Sequence, residues 1–100
     1  MHGEYKTPGG KLVAVDLEVA DDRLANVMVS GDFFLYPEEA LTDITAALEG
    51  QPADRTEAEY AEAVRFAMRP EVELLGSSPE AIATAVGRAL RSENETEEQA

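Results

Sequence analysis

Lys6 and Lys11 bracket the turn Thr7-Pro8-Gly9-Gly10, and they are the only lysines in the chain. Pro8 holds its own φ near −65° and pushes Thr7 into an extended conformation, while the paired glycines permit positive φ and leave the backbone uncovered by side chains. A bare backbone between two cations, in a turn without negative charge, can approach a ligand closely. The competing reading is that Gly9 and Gly10 only shape a hairpin turn and Lys11 is a solvated lysine at a strand end. The segment is not a phosphate-binding loop, because the longer glycine frame and the following Ser or Thr are missing.

Other chemistry is sparse. Cysteine is absent, which removes disulfides, thiolate metal sites and cysteine nucleophiles. The one histidine, His2, falls at a terminus expected to fray. Serines and threonines therefore have no internal histidine to activate them, and no catalytic residue is assigned. Asp21-Asp22 lacks the glycine-spaced ligand loop of a calcium site, and helix-dipole complementarity explains Glu38-Glu39, so no metal site is assigned either.

Charge narrows the partners. Eight basic against 21 acidic residues leave a net charge of −13, which repels nucleic acid and anionic lipid alike. The acids are spread along the chain, a surface suited to a cytosol of very high salt, where self-repulsion is screened. The alternative is an ordinary acidic protein, and a melting temperature that climbs steeply with salt separates the two. No apolar run approaches a membrane span and no basic-then-apolar signal opens the chain, so a cytoplasmic location is expected.

The elements that must position the lysine-flanked turn follow from hydrophobic periodicity. Val13, Val15, Leu17 and Val19 share one parity and Asp16 and Glu18 the other, so Leu12 to Ala20 reads as a strand. The turn Asp21-Asp22-Arg23 leads into a second alternating stretch, Ala25 to Phe33, with Val27 and Val29 on one side. Glu4 to Thr7 adds a third strand across the Pro-Gly-Gly turn, giving an antiparallel meander. Pro37 suits the first position of a helix with Glu38 and Glu39 in its first turn, Ala40, Leu41, Ile44, Ala47 and Leu48 as its apolar stripe, and Gly50 as its stop. Thr56 and Glu59 have capping-box spacing for a second helix, closed by Pro70. Val72, Leu74 and Leu75 make an apolar connection to Gly76. Ser78, Pro79 and Glu80 then open a third helix with Ile82, Ala85, Val86, Ala89 and Leu90 inside. Residues 1–91 thus form one α+β domain, a three-stranded antiparallel sheet followed by three helices packed on one face, and 92–100 an acidic disordered tail.

Three segments in order, Lys6-Thr7-Pro8-Gly9-Gly10-Lys11-Leu12-Val13, then Gly31-Asp32-Phe33-Phe34, then Leu74-Leu75-Gly76-Ser77-Ser78-Pro79-Glu80, resemble the C-terminal accessory domain of lipoate–protein ligases. The similarity runs from Tyr5 to about Arg91 and is greatest to the archaeal arrangement, in which that domain is a separate small protein beside a larger catalytic subunit. The resemblance implies a fold like that of iron–sulfur scaffold and sulfur-acceptor proteins, whose cysteines are missing here. It also implies a division of labour. Lipoate, ATP and Mg belong to the catalytic subunit, which forms lipoyl-adenylate and passes the lipoyl group to a lysine of a lipoyl acceptor domain. The accessory chain binds no cofactor alone and is needed for the activation step. On this resemblance Lys6, Pro8, Gly9, Gly10 and Lys11 face the catalytic subunit, with Lys11 placed to reach a phosphate or the adenylate carbonyl. Asp32, Phe33 and Phe34 are candidate interface residues; because neighbours on a strand point to opposite faces, one phenylalanine belongs to the core and the other to the surface. Two competing readings are a non-catalytic interaction module of the same fold unrelated to lipoylation, and an independent small enzyme using acidic residues.

Overall fold

The computed structural model describes the backbone of residues 1–99 and the side chains of residues 1–91. Strand β2 (Leu12–Ala20) and strand β3 (Arg23–Gly31) form an antiparallel hairpin closed at Ala20 opposite Arg23. Between them Asp21 and Asp22 have φ of 53° and 61°. Two successive left-handed residues make the kind of two-residue turn whose twist matches that of the strands, and aspartate tolerates the conformation better than most side chains. Strand β1 (His2–Lys6) pairs antiparallel with the other edge of β2, placing Lys6 opposite Leu12 and His2 opposite Asp16. The sheet order is β1-β2-β3, the expected meander.

His2 corrects the expectation of a frayed terminus. It lies in β1, and Met1 brackets the strand through reciprocal bonds: its amino group donates to the Leu17 carbonyl and its carbonyl accepts from the Leu17 N–H, both at 2.9 Å.

Three helices follow: α1 (Ala40–Leu48), α2 (Glu57–Ala67) and α3 (Pro79–Gln99). Helix α3 crosses β1 and β2, α1 covers β3, and α2 packs against both other helices. Val13, Val15 and Leu17 of β2 and Leu24, Val27 and Val29 of β3 are buried with Ile44, Leu48, Tyr60, Val64, Ile82 and Val86 in one core. Burying that apolar surface is the main stabilising contribution to the fold. The other sheet face is open and carries His2, Glu4, Asp16, Glu18 and Met28, all exposed. Tyr60 is buried with its hydroxyl donating to the Pro52 carbonyl at 2.6 Å, and burial pushes its phenol pKa up.

Two glycine positions show how tightly the layers meet. A β-carbon on Gly3 would overlap the backbone of α3 at Ala85 and Ala89, so β1 and α3 touch through main chain. Gly50, with φ of 81°, ends α1 as its position required.

The capping box at Thr56 is formed in both directions: Glu59 N–H donates to Thr56 Oγ1, and Thr56 N–H donates to the Glu59 side chain, each at 3.2 Å. Ser78 Oγ accepts from Ala81 N–H at 3.0 Å and starts α3. Of the acidic disordered tail expected over 92–100, the backbone as far as Gln99 continues α3, and the side chains lie outside the described residues.

Several local expectations are corrected. Val19 is 37% exposed rather than in the core. It lies past a bulge where Asp16 faces Met28 but Glu18 faces Ala25, with Asn26 at φ 51°, and so sits near the hairpin tip. Helix α1 starts at Ala40, not Pro37. Phe34–Tyr36 forms strand β4, which pairs antiparallel with strand β5 (Glu73–Leu75). That pairing keeps the chain extended up to the cis Tyr36–Pro37 bond. Pro37 to Glu39 then make a turn closed by i to i+3 bonds, among them Ala40 N–H to the Pro37 carbonyl at 3.0 Å. Glu38 and Glu39 therefore precede the helix, and the acid in its first turn is Asp43. The stretch expected as an apolar connection, Val72 to Leu75, contains β5.

Candidate functional site

The three segments singled out in the sequence meet at one end of the molecule. Gly10 N–H donates to the Thr7 carbonyl at 2.7 Å, with Pro8 second and Gly9 third in the turn at φ 73°. This is a type II turn, whose third residue must take positive φ. Lys11 N–H donates to the Gly76 carbonyl at 2.8 Å, tying the turn to the loop that enters α3. Gly76 has φ of 88°, and a β-carbon there would lie 2.7 Å from Lys11 Cγ and 3.7 Å from the Cα of Phe33. The Lys11 stem thus crosses bare backbone at Gly76. Asp32 N–H donates to the Leu12 carbonyl at 3.0 Å, joining the bend after β3 to the start of β2.

The polar groups at this end are under-used. Thr7 Oγ1 and Ser77 Oγ are buried atoms without a hydrogen-bond partner, the pair so found among the described residues. A buried hydroxyl left unpaired costs about 1–3 kcal/mol unless something outside the chain satisfies it. Lys6 and Lys11 make no hydrogen bond or ion pair through their ammonium groups among the described residues, whereas Arg55, Arg65 and Arg91 all pair with glutamates. Nothing lies within 4 Å of the place a Gly9 β-carbon would occupy, so the turn tip faces open space.

An apolar surface adjoins the turn. In the β4–β5 ribbon Phe34 faces Leu75, and Tyr36 shares their side; the three are 58%, 57% and 61% exposed respectively. Leu35 and Leu74 point the other way, toward the core. Phe33 is half-buried against the core, so the two adjacent phenylalanines divide between inside and outside. Asp32 is exposed. The structure therefore gathers Lys6, Pro8, Gly9, Gly10, Lys11, Asp32, Phe33 and Phe34 at one end, and adds Thr7, Tyr36, Leu75, Gly76 and Ser77, which sequence reasoning missed as site residues. The signal for Tyr36 and Leu75 was their alternation about Leu35 and Leu74, too short to read as a strand alone.

No protein-family model matches the sequence, and no curated protein does. Among solved structures there is a match in an archaeal lipoylation system, described as a bipartite lipoate protein ligase and its E2 lipoyl domain from Thermoplasma acidophilum. The matching chain is 25% identical, with a TM-score of 0.65, over 86% of this chain and 97% of that one. The present chain has the fold of a component of that ligase system. The two chains are close in size, since most of one fills nearly all of the other. The ligase-system component matches nearly end to end, so the resemblance carried by the three segments extends to the α+β architecture that brings them together.

His2 forms a second polar constellation, on the open sheet face. Its Nδ1 lies 2.7 Å from Asp16 Oδ1 and its Nε2 2.7 Å from Glu4 Oε2. Hydrogen bonds to Glu4 and then to Asp16 raise its pKa above 6.5, because both carboxylates favour the imidazolium. Neither nitrogen is left as a base, and no nucleophile is paired with the ring. Among the described residues no group of three or more His, Asp or Glu is arranged to hold a metal, and no helix is long and apolar enough to cross a membrane.

Proposed function

We propose that this chain is the accessory part of a two-part lipoate–protein ligase, required by the catalytic part for ATP-dependent activation of lipoate to lipoyl-adenylate, before transfer to a lysine of a lipoyl acceptor domain. The observation that supports this reading most is the end-to-end fold similarity to a chain of the archaeal ligase system. The geometry supports a docking role. Unpaired Lys6 and Lys11, a bare Gly9 backbone and the apolar Phe34, Tyr36 and Leu75 form a surface suited to completing another protein's site. Adenylate formation develops negative charge at a phosphate and requires water to be excluded; a docked domain can contribute a cation and a lid. Lys11 fits the first role, held by its backbone bond to Gly76 with its ammonium free. Lipoate, ATP and Mg are bound by the catalytic partner, and the setting is the cytoplasm of a salt-adapted archaeon.

The test is reconstitution. Mixing this chain with a catalytic lipoate-ligase subunit, lipoate, ATP and Mg is expected to yield lipoyl-adenylate at a rate at least tenfold above that of the catalytic subunit alone. Equal rates with and without this chain would favour an interaction module unrelated to lipoylation.

A further inference from the structure

The outer edge of β3 is covered along its first part and bare along its last. Residues of an antiparallel strand alternate between bonding to their partner and pointing both backbone groups away. Since Asp32 N–H donates to the Leu12 carbonyl, the bonded positions facing β2 are Asp32, Ser30 and Met28, and Val29 and Gly31 direct their N–H and C=O groups outward. The same outward parity holds at Val27, whose N–H lies 3.3 Å from both Glu49 carboxylate oxygens. Earlier on the strand, the segment after α1 acts as a partial fourth strand. Leu24 N–H donates to the Gln51 carbonyl at 2.9 Å, Gly50 N–H to the Leu24 carbonyl at 2.8 Å, and Ala53 N–H to the Asp22 carbonyl at 2.9 Å. That covering stops at Glu49. From Val29 to Gly31 no group among the described residues pairs the edge.

Sheet edges in soluble proteins are normally covered or blunted. Here the bare stretch runs beside an open groove of about 520 Å³, lined by Phe33, Phe34, Leu35 and Leu41 with Glu38 beside them. Bare N–H and C=O groups at strand spacing are matched by another extended main chain. An apolar groove alongside matches one of its alternate side chains. The exposed acids Asp32 and Glu38 select basic residues next to that side chain. A second copy of this chain fits poorly, because each copy carries a net charge of −13.

We propose that the Val29–Gly31 edge of β3 accepts an extended, basic and apolar segment of a partner protein as an added strand, with an apolar side chain seated between Phe34 and Leu41. Resting on the reading above, the proposal takes the partner to be the catalytic part of the ligase, so that strand addition is the means by which the Lys11 end is brought to its site.

Amide hydrogen exchange on the full chain, alone and with purified catalytic subunit, tests this alongside the binding affinity of Phe34→Asp. In the free chain Gly31 N–H is expected to exchange fast while Ser30 and Met28 exchange slowly. In the complex Gly31 protection rises at least tenfold, and Phe34→Asp weakens binding at least tenfold without lowering the melting temperature. A complex that forms with Gly31 exchange unchanged and Phe34→Asp binding like wild type overturns strand addition and leaves the ligase reading intact. Absence of any complex overturns both. Protection of Gly31 that appears in the chain alone as its concentration rises assigns the edge to a second copy and overturns the proposal.

Discussion

At Gly3 a β-carbon would overlap the backbone of α3, whereas at Gly9 nothing lies within 4 Å of where a β-carbon would be. Gly3 lies within β1 and Gly9 in the turn that follows it, and they are needed for opposite reasons. Gly3 lets main chain meet main chain, with Ala85 and Ala89 opposite and Arg88 stacked 5.0 Å over the Tyr5 ring while donating to the Glu4 carbonyl at 3.1 Å. Arg88, Glu4 and Tyr5 thus find their partners within the chain. Gly9 supplies a positive φ and an uncovered tip, near two hydroxyls without partners and two lysines without counter-ions among the described residues. The first glycine belongs to the fold, and the second leaves room for something that is not in the chain.

Gly3→Val should therefore damage the fold more than any substitution at the turn. Inserting a branched side chain between β1 and α3 should cost about 3 kcal/mol or more, a fall in melting temperature of about 12 °C or more for a domain of this size. A melting temperature within a few degrees of wild type would erase the distinction. Lys11→Ala should do the reverse, leaving the melting temperature nearly unchanged while reducing lipoyl-adenylate formation in the reconstituted pair on the order of tenfold or more. Unaltered adenylate formation would return Lys11 to the class of solvated surface lysines.

Gly9→Ala sharpens the same comparison at smaller amplitude. The space is open, so only the positive φ opposes the new side chain, and the expected destabilisation is about 1 kcal/mol. Chemical denaturation should show a lower midpoint with an unchanged slope. The smallest effect belongs to His2, on the well-satisfied side but exposed. Its folded pKa is raised above the unfolded value, so the stabilisation from Glu4 and Asp16 is fully present below the unfolded pKa and is lost as pH rises through the folded pKa. The stability gap between wild type and His2→Gln should accordingly be largest below about pH 6 and close at higher pH, and it should shrink with added salt. A gap that widens with rising pH would reverse the assigned cause.

The two regions also differ in how far they could be read in advance. Strands β2 and β3 and the starts of α2 and α3 follow from local rules. Period-two alternation and the Thr56/Glu59 and Ser78/Pro79 start signals act within a few residues, and the structure keeps them. What failed was non-local. The β4–β5 ribbon is too short to signal itself and exists because Phe34–Tyr36 and Glu73–Leu75, nearly forty residues apart, find each other. That pairing displaced the start of α1 from Pro37 to Ala40. His2 was expected to fray because it lies at a terminus; its pairing opposite Asp16 depends on a strand register that only the fold defines.

The sequence by itself determined the α+β class, the order of the long elements, the acidic surface and the scarcity of catalytic groups, since each depends on residue types and short spacings. Only the tertiary structure decided that the Pro-Gly-Gly turn, the Gly31–Phe34 bend and the Gly76 loop share one end. It alone decided that Phe34, Tyr36 and Leu75 form an outward face and that, among the described residues, nothing pairs the β3 edge after Val27. Those are consequences of register, twist and chain crossing, which arise from packing the whole chain at once and leave no signature at any single position.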